Sequence, residues 1–268
     1  MIIEVRIKNM DDLLKLLSEQ KHDEEIGRHR SPFLYRGMSN ESYKLETSLK
    51  RNCKNKYKEL EKPVLRNFTK YAAIDDPLLN ESVWRQLIIG QHHGLPTRLL
   101  DWTYSPLVAM HFAMGGQLSD MDRYDAVIWK IDITELNQKL PEQYQEELEE
   151  EKAYLFTVEM LNKLVKSIDD YDEDMKDRSM VLLEPPSIDQ RIINQYSYFS
   201  VVPGDICSLE EFLDTQTENT VKYIVDKAIK WRIRDMLDQM NISERIVYPG
   251  LDGLTKWLAR HYYVRDND

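Results

Sequence analysis

Cysteine is scarce: Cys53 and Cys207 are the only two in 268 residues, far apart and outside any CxxC spacing. That excludes a disulfide framework and a cysteine-based zinc site, and no metal site is expected. No run of about eighteen apolar residues occurs, which excludes a helical membrane span. No Walker or dinucleotide-type glycine-rich loop is present, and no Ser-His-Asp order stands out. Internal repeats and low-complexity tracts are absent as well. The opening Met1–Lys8 alternates apolar and polar as a strand does and lacks the basic-then-apolar layout of a signal peptide, so a cytoplasmic location is expected. Positive charge is also short overall. A net charge of −11 argues against coating nucleic acid over the whole surface.

What is present suits a folded core. Hydrophobic residues make up 42% and aromatics 10%, enough for one large domain over residues 1–268, with or without an insertion. The charge is uneven: residues 44–70 hold nine Lys or Arg against three Glu, and residues 141–178 hold thirteen acids against five bases. Solvated helix faces would produce such runs. So would a basic segment that meets an anionic partner while the acidic one points elsewhere.

Along the chain, Asn9 caps a helix carrying Leu13, Leu14, Leu16 and Leu17. Phe33–Met38 is an aromatic strand, and Tyr43–Leu49 alternates weakly like a second one. Residues 57–74 are helical in period, with Pro63 inside. Asn80 is placed to cap a further helix that Gly90 or Gly94 ends. Ser105-Pro106 opens a nearly all-apolar helix through Ala113, with Ser as N-cap and Pro at the first helical position. Ala126–Ile131, Met180–Glu184, Arg191–Val202 and Val221–Val225 read as strands. Residues 134–178 read as an acidic helical insertion projecting from the core. Helices near 227–240 and Trp257 close the chain. Without regular βαβ alternation the class is α+β.

Chemistry-bearing groups concentrate in Gln91-His92-His93-Gly94-Leu95-Pro96-Thr97-Arg98-Leu99-Leu100-Asp101-Trp102. Arg36, mid-strand between apolar neighbours, is costly to bury unpaired. It either forks onto a phosphate or carboxylate ligand or pairs internally with Asp101. Arg98 and Asp101, three apart, either bond locally or touch ligand. Trp102 stacks on a base or fills core. Of His92 and His93, one is structural and the other a potential base or phosphate donor. Arg191 and Gln195 share one face of the expected strand.

Leu34-Tyr35-Arg36-Gly37, the Gln91–Thr103 stretch, Ser105-Pro106-Leu107, Pro185-Pro186, Arg191 with Gln195, and Tyr248-Pro249-Gly250-Leu251-Asp252-Gly253-Leu254 together resemble the FRG domain family. Tyr35 stands where that family has Phe. Tyr35-Arg36-Gly37, and Thr103-Tyr104-Ser105 leading into Ala109-Met110-His111-Phe112-Ala113, also resemble mono-ADP-ribosyltransferases, which hold NAD in a split mixed sheet. That resemblance implies a mixed, split β-sheet core flanked by helices. It further implies an NAD-like nucleotide as ligand or substrate, with Tyr35, Gly37, Thr97, Arg98, Asp101, Trp102, Ser105 and Arg191 binding it. Arg36, His93 and Gln195 take the catalytic positions.

The strand expected to carry the transferase glutamate carries Gln195 instead. Glutamine keeps a hydrogen bond and loses the charge that stabilises an oxocarbenium-like transition state, a loss worth on the order of several kcal/mol. The chain therefore either binds a nucleotide without transferring from it or uses another carboxylate, Glu184 or Asp101. A toxin or antiphage effector acting on a protein or nucleic-acid target is the role the resemblance implies. The alternative is a non-catalytic module that binds nucleic acid or protein through residues 44–70.

Overall fold

A computed structural model describes residues 1–24, 26–176 and 178–265. The chain begins with β1 (Ile3–Ile7), α1 (Met10–Leu17), a short hairpin of β2 (Lys21–Asp23) and β3 (Arg28–Arg30), and β4 (Phe33–Met38). Helices α2 (Ser48–Cys53), α3 (Tyr57–Ala72) and α4 (Val83–His92) lead to β5 (Leu99–Thr103), α5 (Pro106–Ala113) and β6 (Ala126–Asp132). Then come α6 (Ile133–Asn137), α7 (Glu142–Glu150), α8 (Val158–Leu164), α9 (Ile168–Met175) and β7 (Val181–Leu183). The remainder is α10 (Gln190–Gln195), β8 (Ser197–Val201), α11 (Leu209–Gln216), β9 (Val221–Val225), α12 (Lys227–Gln239), α13 (Glu244–Val247) and α14 (Leu251–His261).

Seven strands form one mixed sheet in the order β1-β9-β6-β4-β5-β8-β7. Only β1 and β9 run parallel; the other neighbours are antiparallel. Helices cover the sheet, so the class is α+β, as the irregular element order predicts. Among the described residues no helix is long and apolar enough to cross a membrane.

The middle of the sheet is its thinnest point. Strand β4 pairs with β6 along its whole length, from Phe33 opposite Asp132 to Met38 opposite Val127. Strand β5 pairs with β8 from Leu99 opposite Val201 to Thr103 opposite Ser197. Between β4 and β5 the register holds one pair, Tyr35 opposite Thr103. The two halves of the sheet therefore meet at a single joint.

Helix α5 lies across this joint. Ser105 caps it by accepting the Val108 amide at 3.3 Å, with Pro106 at its first position, as the sequence predicts. Its Val108, Ala109, Met110 and Ala113 are buried, the outcome expected of a helix that is apolar all round. Gly37 makes the approach possible. A Cβ there would overlap the Ala109 carbonyl oxygen and come within 2.6 Å of the Ala113 nitrogen. The glycine thus seats a helix on the strand; it does not open the backbone to a ligand.

Several sequence expectations are corrected. Tyr43–Leu49 is not a strand: Thr47 accepts the Lys50 amide and starts α2. Asn80 lies in a short 3-10 turn, and Ser82 caps α4 instead. Of the two glycines, Gly94 follows the end of α4, with φ of 84°. Residues 190–195 form α10, not strand, because Asp189 caps them through the Ile192 amide and Tyr196 takes a left-handed conformation before β8 begins. β-branched residues raised the strand expectation there, and the cap outweighs them.

The acidic segment does not project. Its Tyr144, Leu148, Phe156, Leu161, Ile168, Tyr171 and Met175 share one core cluster with Leu99, Val181, Leu183, Phe199 and Val201 of the sheet. Amphipathic helices hid this, since their outward faces carry the acids that dominate composition. Asp177, within the expected segment, lies outside the described residues.

Replacing Gly37 with alanine forces β4 and α5 apart. We expect a loss of about 3 kcal/mol in urea unfolding, or failure to fold. An unchanged unfolding midpoint would contradict the close-approach account.

Candidate functional site

Arg98 sits just ahead of β5, buried to 5% exposure, and does not meet Asp101. Its Nε and Nη2 donate to the Glu61 carboxylate at 2.7 and 2.5 Å, and Nη1 and Nη2 donate to Asp172 at 2.5 and 3.1 Å. Burial alone would lower its pKa; the bonds and charges of the two carboxylates outweigh that and raise it. A guanidinium flanked by two planar acceptors ties α3 and α9 to the start of β5. Arg98 is a bolt in the core, and the expected local bond to Asp101 is corrected.

The same pairing runs along the surface. Lys58 meets Asp205 at 2.5 Å, and Lys62 meets Asp169. The Lys50 ammonium donates to the Ile206 and Cys207 carbonyls. Three of the nine bases of the 44–70 segment, Lys50, Lys58 and Lys62, are thus engaged by acids and carbonyls of their own chain.

Arg36 spans the gap that β4 and β5 leave open. Its Nη1 donates to the Asp101 carbonyl oxygen at 2.6 Å, where a ladder bond between the strands would otherwise stand, and lies 3.6 Å from the Asp101 carboxylate. Its Nε is buried without a hydrogen-bond partner among the described residues. Burial lowers its pKa most, opposed by Asp101 and reinforced by the nearby positive charge of Arg51.

Asp101 is the exposed carboxylate of β5, its side chain 54% accessible. Gln91 donates to it at 2.9 Å and accepts from the Thr97 hydroxyl at 2.6 Å, so α4 and the turn before β5 hold it in place. Alternation explains its exposure: Leu100 and Trp102 point to the opposite face and are buried.

Tyr248 lies within electrostatic reach of this carboxylate. Arg191 stacks over its ring at 5.5 Å and Lys256 at 4.7 Å, and Phe112 of α5 meets it edge-on at 6.3 Å. Burial raises the Tyr248 pKa most; Arg191 lowers it, while Glu244 and Asp101 raise it. His92 bonds Asp189 at 2.5 Å, and its pKa is lowered, first by burial and then by Arg191 and His93 against the pull of Asp189. The His93 ring is exposed, edge-on to His92 at 5.0 Å. Stretches far apart in sequence therefore meet here: Gln91–His93, Asp101, Asp189–Arg191 and Tyr248.

The residues expected to form a site divide in two. Arg36, His93, Asp101 and Arg191 reach this surface or its edge. The others sit at structural positions. Tyr35 is buried against the α5 side of the sheet. Thr97 and Arg98 are buried and bonded within the chain. Trp102 is 2% exposed and donates to the Ser200 hydroxyl at 3.0 Å, so it fills core. Ser105 is the α5 cap.

Gln195, expected in a catalytic position, is buried. It donates to the Val247 carbonyl at 3.1 Å, and its own carbonyl accepts from the Thr103 hydroxyl at 2.7 Å. It pins α13, and with it Tyr248, to the joint of the sheet. Asp189 and Lys256 are members that no sequence pattern singled out, and Gln91 stood only within the dense stretch, without a role. Asp189 was detectable as a cap for a helix at 190, had that segment been read as helix. Among the described residues no group of three or more His, Cys, Asp or Glu is placed to hold a metal ion.

Residues 31–122 match the family model described as FRG domain. They include β4, the Gln91–Trp102 stretch and α5, whereas Asp189–Arg191 and Tyr248 lie beyond the match. No curated protein and no solved structure matched the chain.

Behind the site, His111 of α5 accepts from Arg234 at 2.7 Å, and burial first, then Arg234, pushes its pKa down to about 3. The unfolded chain protonates this histidine near the ordinary imidazole value of about 6.5, before the folded one does. Stability from His111 is complete above that pH and is lost as pH falls toward 3. Glu244, lowered to about 2 by Arg260 against the opposing effect of burial, adds to the loss below 4.5. We expect urea unfolding to show about 2 kcal/mol less stability at about pH 5 than at pH 7. His111→Gln should remove most of that slope, and an equal slope in both proteins would contradict a neutral buried His111.

Proposed function

With residues 31–122 identified as an FRG domain, we propose that the chain binds an NAD-like nucleotide on the surface formed by Asp101, Arg191 and Tyr248, with Arg36 at its edge. The observation that carries this reading is an exposed carboxylate, fixed by Gln91 and Arg36, within electrostatic reach of an aromatic ring that carries two cations. The charged groups match parts of such a ligand. A fixed carboxylate accepts ribose hydroxyls, and a guanidinium and an ammonium suit a diphosphate. The unpartnered Arg36 Nε supplies a further donor at the edge of the same place.

The division of the sheet at the β4–β5 joint also supports the resemblance to the split sheet of mono-ADP-ribosyltransferases. Within this reading Asp101 takes the place that Gln195 cannot fill, because the Gln195 amide is committed to Val247. Its negative charge would stabilise a developing oxocarbenium where an amide would not. Arg36 holds the carboxylate and its strand in register. Arg191 and Lys256 orient the ligand. Transfer from NAD, as distinct from binding, requires that Asp101 be the acting carboxylate.

Isothermal titration with NAD and with ADP-ribose tests this. We expect saturable binding that Asp101→Asn weakens by about tenfold, together with labelled transfer into cell lysate that the same variant abolishes. No binding of either compound, with no transfer, would overturn the reading.

A further inference from the structure

A second site lies where the chain enters β4 and leaves β5. A cavity of about 860 Å³ opens there between the β2–β3 hairpin and the body of the protein. This volume is within the range of small-molecule sites, roughly 300–1,000 Å³. None of its lining residues belongs to the Asp101–Tyr248 surface.

Three tyrosines line it: Tyr104, Tyr154 and Tyr198. Tyr104 and Tyr154 are 38% and 72% exposed, which is unusual for rings lining one concavity and leaves their faces open to a partner.

Most of the charges around the cavity are already satisfied. Asp132 caps α6 through the Thr134 and Glu135 amides and pairs with Lys21 at 3.4 Å. Glu135 accepts the Glu218 and Asn219 amides at 2.5 and 3.1 Å. Asp23 is engaged inside the hairpin, where it accepts from the Ile26 amide at 3.4 Å. Two charged groups remain. Among the described residues the Arg30 guanidinium has a single bond, at 3.4 Å to the carbonyl of its neighbour His29, and meets no carboxylate. The Glu218 carboxylate has no partner among the described residues, although its backbone amide is bonded.

One charge of each sign, without an opposite charge as partner among the described residues and carried on different elements of an aromatic-lined cavity, defines a ligand class. We propose that this cavity binds a zwitterion with an aromatic body, of the kind presented by a short peptide with free termini. Its carboxylate would meet Arg30 and its ammonium Glu218, while the ring lies among the tyrosines. Arg30 belongs to the hairpin, and Glu218 to the turn before β9. A ligand gripping both would close the hairpin onto the body, where the tie is now the Lys21–Asp132 pair and the Lys21 ammonium over the Phe33 ring at 5.3 Å.

The probe is the dipeptide tryptophanyl-phenylalanine, titrated calorimetrically into the full chain beside its N-acetyl and C-amide derivatives. We expect the free dipeptide to bind and each blocked form to bind about tenfold more weakly, as loss of one charge-assisted contact implies. In Arg30→Gln the C-amide penalty should vanish while the N-acetyl penalty stays; in Glu218→Gln the reverse should hold. Both residues are exposed, so circular dichroism and melting should match the wild type. The proposal is overturned if the free dipeptide gives no saturable heat, or if blocked and free forms bind alike. It is equally overturned if adenosine monophosphate binds with the same Arg30 dependence and the dipeptide does not, since the cavity would then be an anion site.

Discussion

Helix α5 can lie directly on strand β4 because residue 37 has no side chain, and much of the architecture follows from that contact. The helix occupies the space a Cβ would need, which fixes its height above the sheet. It is apolar apart from His111, which is itself buried, so it cannot move outward without exposing Val108, Met110 and Ala113 to water. Its entry is set by Ser105 and Pro106 directly after β5. The close seating of one helix therefore fixes where β5 ends relative to β4.

That geometry leaves β4 and β5 joined at one residue pair, and side chains replace the missing ladder. Arg36 donates across the gap to the Asp101 carbonyl. Arg98 anchors the other end of β5 to α3 and α9 through two carboxylates. Gln195 and Thr103 attach α10 and α13 at the joint. A buried guanidinium with both acceptors in place is tolerated; with one removed it would cost about 3–5 kcal/mol. The polar residues of the motif thus serve mainly to hold a divided sheet together. Asp101 is the exception, because the pleat turns it outward at the place where Tyr248 and Arg191 arrive.

Sequence reading reached the elements whose signal is local. Asn9 and Ser105 cap helices as their types predict, and the strand at 33–38 and the helix after Ser105 stand where their patterns place them. It failed where tertiary partners decide. Nothing near Arg98 in the chain announces Glu61 or Asp172, which lie 37 and 74 residues away. The helix at 190–195 was hidden by its Ile192-Ile193 pair, which reads as strand until Asp189 is recognised as a cap. The charge runs left two readings open, solvated faces or surfaces with separate destinations; Lys62 meets Asp169, and the acidic helices turn Tyr144 and Tyr171 into a core shared with the sheet. Of the site itself, the Gln91–Asp101 stretch and Arg191 were legible as reactive. Their meeting at Tyr248 was not, since it depends on where α13 is pinned.

Arg98 and Arg191 differ in setting: Arg98 is buried between two carboxylates and supports the fold, and Arg191 is exposed on the surface proposed to bind the nucleotide. Thermal unfolding of Arg98→Ala and Arg191→Ala, each with and without ADP-ribose, separates these roles in one measurement. The account predicts that Arg98→Ala lowers the melting temperature of the free protein by roughly 10 °C or prevents folding, as loss of a buried ion pair implies. Arg191→Ala should melt within about 2 °C of the wild type, as an exposed substitution does, and lose the stabilisation by ADP-ribose. An Arg98→Ala protein that melts normally but no longer responds to ADP-ribose, beside an Arg191→Ala protein that still responds, would contradict it.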